Sequence, residues 1–116
     1  MKLPNVENVI VEREKIADYL LDAQHPDNGG KAEFFERHGF RRGAWETLAT
    51  AMISLAREQD VRHSTMSPHG RKYVIVGDIR TPLGGSIRLQ TIWIVDNGAE
   101  AARLVTAYPK KEKATL

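Results

Sequence analysis

Two runs rich in β-branched and aromatic residues, 87–95 and 103–109, enclose an Asp96-Asn97-Gly98 turn signal. That arrangement commits the C-terminal part of the chain to an antiparallel hairpin. Ala99-Glu100-Ala101-Ala102 lies in the same connection, so a plain two-residue turn does not fit. Strand parity places Arg88 and Gln90 on one face with Ile92 and Ile94. Thr91 and Trp93 share the other face with Ile87, Leu89 and Val95, which by apolar count is the better core face. On the last strand Leu104, Thr106 and Tyr108 alternate with Arg103, Val105 and Ala107. Polar side chains held on a stiff sheet are what a binding face requires. A bulge near a strand end would re-aim some of them.

Upstream of the hairpin the periodicity is helical. Ile16, Tyr19, Leu20 and Ala23 fall at i, i+3, i+4 and i+7, predicting a helix over 12–23 with one apolar stripe. Residues 1–11 form a lead-in whose Val6, Val9, Ile10 and Val11 are expected along the core. The segment from Gln24 to Gly30 breaks the first helix. Pro26 holds His25 extended, Asn28 is placed to cap a second helix over 29–38, and Gly39 ends that helix. Trp45, Leu48, Met52 and Leu55 mark a third helix over 43–58, widened by Ala49, Ile53 and Ala56. The polar stretch 60–70 reads as a loop, residues 71–80 as a strand, and Thr81-Pro82-Leu83-Gly84-Gly85 as a turn. The expected fold is therefore α+β, with two to three N-terminal helices packed on a C-terminal three- to four-stranded antiparallel sheet. Residues 1–109 form a single domain in this reading, and 110–116 a charged flexible tail.

At 116 residues the chain has enough length for one core without covalent staples, and it holds no cysteine. A disulfide framework and a thiolate site are both excluded. No apolar run reaches the length of a membrane span, and the first residues lack the apolar core of a signal peptide. The net charge of +2 is a mild basic bias, far from that of a protein that coats a duplex.

His25, His38, His63 and His69 are scattered, with no HExxH motif, so neither a metal nor another cofactor is expected. GxSxG is absent, and Gly29-Gly30-Lys31 lacks the Walker spacing and its preceding strand. His25 and Lys31 bracket a loop ending at a predicted helix N-terminus, which makes a candidate anion seat with free N–H groups and a cation. The same spacing fits His25 donating to a helix-end carbonyl with Lys31 simply solvated. Thr106 and Tyr108 share a face on which hydroxyls suit a phosphate, and equally suit packing.

His25-Pro26 followed by Gly30-Lys31-Ala32-x-Phe34-Phe35-x-x-x-Gly39-Phe40 forms one motif. Thr91-x-Trp93-Ile94-Val95 and Arg103-Leu104-Val105-Thr106-Ala107-Tyr108-Pro109 form two more. Together, over about residues 3–109, they resemble a small bacterial domain of unknown function found alone and at the C-termini of polymorphic toxins. The order of elements is also similar to the toxin ribonuclease fold shared by barnase, EndoU, the tRNase colicins and RelE. The resemblance implies a metal-independent endoribonuclease, acting on RNA such as tRNA or mRNA in the cytoplasm of its own or a target cell. It also implies a cognate immunity or antitoxin partner. It makes His25 the acid/base, Lys31 the stabiliser of developing charge, and Thr106 and Tyr108 the groups that orient the phosphate. Arg88, Thr91, Trp93 and Arg103 are the implied further substrate contacts. A non-catalytic interaction module such as an immunity protein, or a nucleic-acid binder without cleavage, are the alternatives.

Overall fold

The computed structural model describes residues 1–28 and 30–110. Gly29 of the expected second helix, and 111–116 of the expected tail, lie outside the described residues. Helical elements come first: a short α1 (Arg13–Lys15), a π turn (Ile16–Leu20), α2 (Lys31–Arg37) and α3 (Trp45–Glu58). The strands β1 (His63–Ser67), β2 (Gly70–Arg80), β3 (Ser86–Asp96) and β4 (Arg103–Pro109) follow. Among the described residues these strands form an antiparallel meander in the order β1-β2-β3-β4. The α+β architecture expected from the sequence is the one observed.

The core lies between α3, the π turn and one face of the sheet. Leu48, Ala49, Met52, Leu55 and Ala56 of α3 are buried, as their spacing requires. They meet Tyr73, Ile75 and Ile79 of β2 and Ile87, Leu89 and Trp93 of β3 in one cluster. Gly77 lets α3 come close, since a Cβ there would stand 2.7 Å from Leu55 Cδ1 and 2.9 Å from Gln59 Cγ. Phe35 and Phe40 close the core at the end of α2, where Gly39 takes φ 96° and turns the chain out of the helix.

Three expectations need correction. The first helix does not run regularly over 12–23. Its second half is a π turn in which Leu21 N–H donates to Ile16 O at 2.8 Å, five residues back instead of four. The wider turn buries Ile16, Ala17, Leu20 and Leu21, leaves Ala23 exposed, and moves Tyr19 to the edge of the stripe. The expected loop 60–70 contains β1, an edge strand of polar residues whose only apolar side chain, Met66, stays exposed. Ile10 does not lie along the core but is 46% exposed, and its backbone bridges the start of β4 through Ala102 and Leu104.

The last strand carries an inserted residue. Ile92 pairs with Thr106 and Trp93 with Leu104, which leaves Val105 between them as a bulge. Leu104 and Ala107 therefore both enter the core. Thr106 and Tyr108 instead lie opposite Ile92 and Gln90, off the row that faces the helices.

Thr91 and Trp93 are fully buried, as the apolar count of their row implies. Trp93 Nε1–H donates to Thr91 Oγ1 at 2.8 Å, and Thr91 Oγ1–H donates to Ile75 O at 2.8 Å. Thr91→Val keeps the shape and leaves the indole N–H without an acceptor. We expect it to lower stability by about 1–3 kcal/mol in urea denaturation. A change within about 0.5 kcal/mol, the range of an ordinary surface substitution, would show that the buried pair does not hold the core.

Candidate functional site

The described residues include a cleft of about 380 Å³ lined by Glu12, Glu14, Lys15, Asp18, Tyr19, His25 and Arg103. It lies where the first helical segment and the loop after it meet the bulged edge strand. Tyr19 joins the two sides. Its Oη lies 3.1 Å from Thr106 Oγ1, and its ring meets that of His25 edge-on, with centroids 5.1 Å apart and planes at 78°. Of the sequence-predicted residues, His25 and Arg103 line the cleft and Thr106 joins them through Tyr19, while Tyr19 and Lys15 are added to the wall.

Asn28 fixes this geometry. Its side-chain Nδ2–H donates to the carbonyls of Tyr19 and Leu20, at the end of the π turn, where intrahelical partners run out. Its Oδ1 accepts from Ala32 N–H in the first turn of α2 at 2.8 Å. The anion seat expected at that helix start is therefore filled by the chain's own amide. Lys31 is held in the same loop, with Nζ donating to Asn28 O at 3.2 Å and lying 5.7 Å from the centroid of the Tyr19 ring.

His25 does not cap the preceding helix through its ring. Its Nδ1 accepts from Asp27 N–H at 3.1 Å. A neutral ring so placed carries its proton on Nε2 and is a donor there. Protonating Nδ1 requires the Asp27 contact to open.

Arg103 is held as a fork by Asp96, with Nε donating to Oδ2 at 2.7 Å and Nη2 to Oδ1 at 3.1 Å. This hydrogen-bonded partner holds the Asp96 carboxyl below its usual range and raises Arg103 above its own. Nη1 remains outside that pair. Asp18 is occupied by Arg42 at 2.7 Å, a contact that raises the Arg42 guanidinium above its ordinary value. Glu12 and Glu14 leave carboxylates on the cleft wall. Among the described residues no group of three or more His, Cys, Asp or Glu side chains comes together as a metal site.

The remaining predicted residues lie elsewhere. Tyr108 Oη accepts from Gln90 Nε2 on the sheet face away from the helices. Arg88 pairs with Asp78 at 3.5 Å farther along that face. Thr91 and Trp93 are sealed in the core, so neither reaches a ligand at the surface. Tyr19 escaped the sequence reading because α-helical spacing assigned it to the buried stripe. The available signal was the pair Lys15 and Tyr19, a cation four residues before an aromatic beside a histidine-bearing break.

The chain matches the model of a domain of unknown function, DUF6883, over residues 2–111, and it belongs to that family. No curated protein matches it. Among solved structures it is similar to a chain of a contact-dependent growth inhibition toxin–immunity protein complex from Klebsiella pneumoniae 342. That likeness has a TM-score of 0.70 at 16% identity and covers 92% of this chain and 97% of the other. The two share a fold. No helix of the described residues is long and apolar enough to cross a membrane.

Asn28→Ala removes the tie between the π turn and α2 and leaves a buried carbonyl pair and an N–H without that partner. We expect a loss of about 2–3 kcal/mol in urea denaturation, larger than a helix cap alone contributes. A loss below about 1 kcal/mol would show that the loop holds its shape without the clasp.

Proposed function

We propose that this DUF6883 domain is a toxin-type endoribonuclease that cleaves RNA by internal attack of the ribose 2′-oxygen, without a metal cofactor. The observation that carries the reading is one open cleft lined by His25, Tyr19, Lys15 and Arg103, in which the Tyr19 hydroxyl also bonds Thr106 behind it. Hydroxyl donors, an imidazole and cations around one space are what phosphodiester transfer asks for.

In the reaction the 2′-oxygen bonds to phosphorus and the bond from phosphorus to the 5′-oxygen breaks. The 2′-hydroxyl proton leaves and the departing 5′-oxygen takes one up, giving a 2′,3′-cyclic phosphate and a 5′-hydroxyl. His25 handles a proton at this step, the Asp27 contact opening when Nδ1 is charged. Thr106 orients the phosphate. Arg103 offsets the charge that builds on it, and Arg88 contacts a flanking nucleotide along the sheet. Glu12 and Glu14 share the cleft wall with Lys15 and Arg103 and weaken its attraction for an anion. An unpaired strand or a tRNA loop suits an open cleft beside an aromatic better than a duplex does.

The growth-inhibition complex supports a toxin setting, in which a cognate immunity protein would cover the cleft. The same neighbour supports the second reading, that this chain is itself an interaction module such as an immunity protein, since the complex contains both kinds of partner.

Purified protein incubated with total bacterial RNA in EDTA separates the two. The ribonuclease reading expects discrete fragments with cyclic phosphate ends, reduced at least about 100-fold by His25→Ala and by Thr106→Ala, with both variants folded by circular dichroism. Intact RNA at high protein concentration, with or without added divalent metal, would favour the interaction module.

A further inference from the structure

The resemblance implies Lys31 and Tyr108 as the cation and phenol of the site, but the fold puts a different cation and a different phenol at the cleft. Lys31 Nζ is tied to the Asn28 carbonyl, and Tyr108 Oη is tied to Gln90. Neither lines the cleft, whereas Lys15 and Tyr19 both do. Their spacing of four residues is turned toward β4 by the π turn, which rotates Tyr19 off the core stripe and leaves Ile16 and Leu20 to fill it. Lys15 Nζ stands 5.2 Å from the Tyr19 ring centroid, so the ring itself helps hold the ammonium at the cleft wall.

We infer that Tyr19 and Lys15 contact the scissile phosphate directly: Tyr19 with Thr106 donates to a non-bridging oxygen, and Lys15 offsets the charge of the phosphorane. This rests on the ribonuclease reading above and names the groups that touch the reacting phosphate. The hydroxyl pair provides the donor. Two hydroxyls 3.1 Å apart hold two hydrogens, of which their mutual bond uses one. The other has no acceptor among the described residues and is free to point at a ligand oxygen. Because the pair is already formed, it needs no reorganisation when negative charge develops. The ammonium needs no partner swap either, since its hold on the ring is through the aromatic face and leaves its N–H donors for an anion. Lys31, by comparison, would have to release a carbonyl first.

The test uses the full chain and two arms run side by side. The first follows cleavage of an RNA oligonucleotide, with normal phosphate and with a single phosphorothioate at the cut site. Tyr19→Phe should lower kcat about 100-fold, with KM within about twofold of the wild type. It should also lose most of the rate difference that sulfur at one non-bridging position causes in the wild type. Tyr108→Phe should stay within about threefold in kcat, as expected of a group outside the transition state. A slow Tyr19→Phe enzyme that keeps the full sulfur effect would overturn the contact and leave Tyr19 a structural role. So would a Tyr19→Phe enzyme as fast as the wild type.

The second arm measures binding of the same oligonucleotide with a 2′-deoxyribose at the attacking position, which cannot be cut. Lys15→Gln should weaken it about tenfold and make the dependence on salt shallower by about one in slope, while Lys31→Gln should change it less. Equal binding by Lys15→Gln and wild type would overturn the assignment of Lys15. A wild type that binds but never cuts would sink the ribonuclease reading alone, and the phosphate contact would then be decided by the Lys15→Gln result.

Discussion

Asn28 ties together two short elements that otherwise meet only through the shared core, by Ile16, Leu20 and Leu21 of the first region and Phe35 of the second. A five-residue π turn and a seven-residue helix are each too short to be stable alone. One buried amide serves both: it donates to the last carbonyls of the first and accepts from Ala32 N–H in the first turn of the second. An apolar residue at position 28 would satisfy neither, and a charged one would supply the wrong donors. The loop between the two elements carries His25, and the turn on one side carries Tyr19. The placement of both is therefore coupled to this one buried side chain.

The second determinant is the bulge at Val105. In a regular strand Leu104, Thr106 and Tyr108 would share the helix-facing row, and the hydroxyls would be lost in the core. The inserted residue lets Leu104 and Ala107 both pack inward while Thr106 comes to the edge where Tyr19 reaches it. Arg103 at the start of the same strand is fixed by Asp96 at the end of the preceding one, so the hairpin also holds a cation at the rim. Two local irregularities, one in a helix and one in a strand, thus meet to make the cleft. Regular versions of both elements would fold the same sheet and lack the site.

This explains what could be read in advance. The α3 spacing and the parity of β3 follow regular periods over many residues, and both were legible, including the burial of Thr91 and Trp93. The cap by Asn28 and the glycine stop at Gly39 were legible because each has a local chemical signature. The π turn was not, since its residues are ordinary helix formers and the wider turn shows only once Ile16, Ala17, Leu20 and Leu21 are all buried together. Nor was β1, whose Ser and Thr residues read as loop until β2 supplies the partner. His25 and Arg103, which line the cleft, and Thr106, which bonds Tyr19, were legible as candidates from their side-chain types. Lys15 and Tyr19 were hidden because α-helical spacing assigns the tyrosine to the core.

The central claim is that a phosphate on RNA occupies the cleft between the π turn and the bulged strand. The most direct measurement is an amide NMR titration with an RNA dinucleotide whose attacking 2′-hydroxyl is replaced by hydrogen. The account predicts that the largest shifts fall at residues 15–19, at His25 and at 103–106, with the α3 amides unmoved. Shifts centred instead on β1 and β2, or none at millimolar ligand, would contradict it.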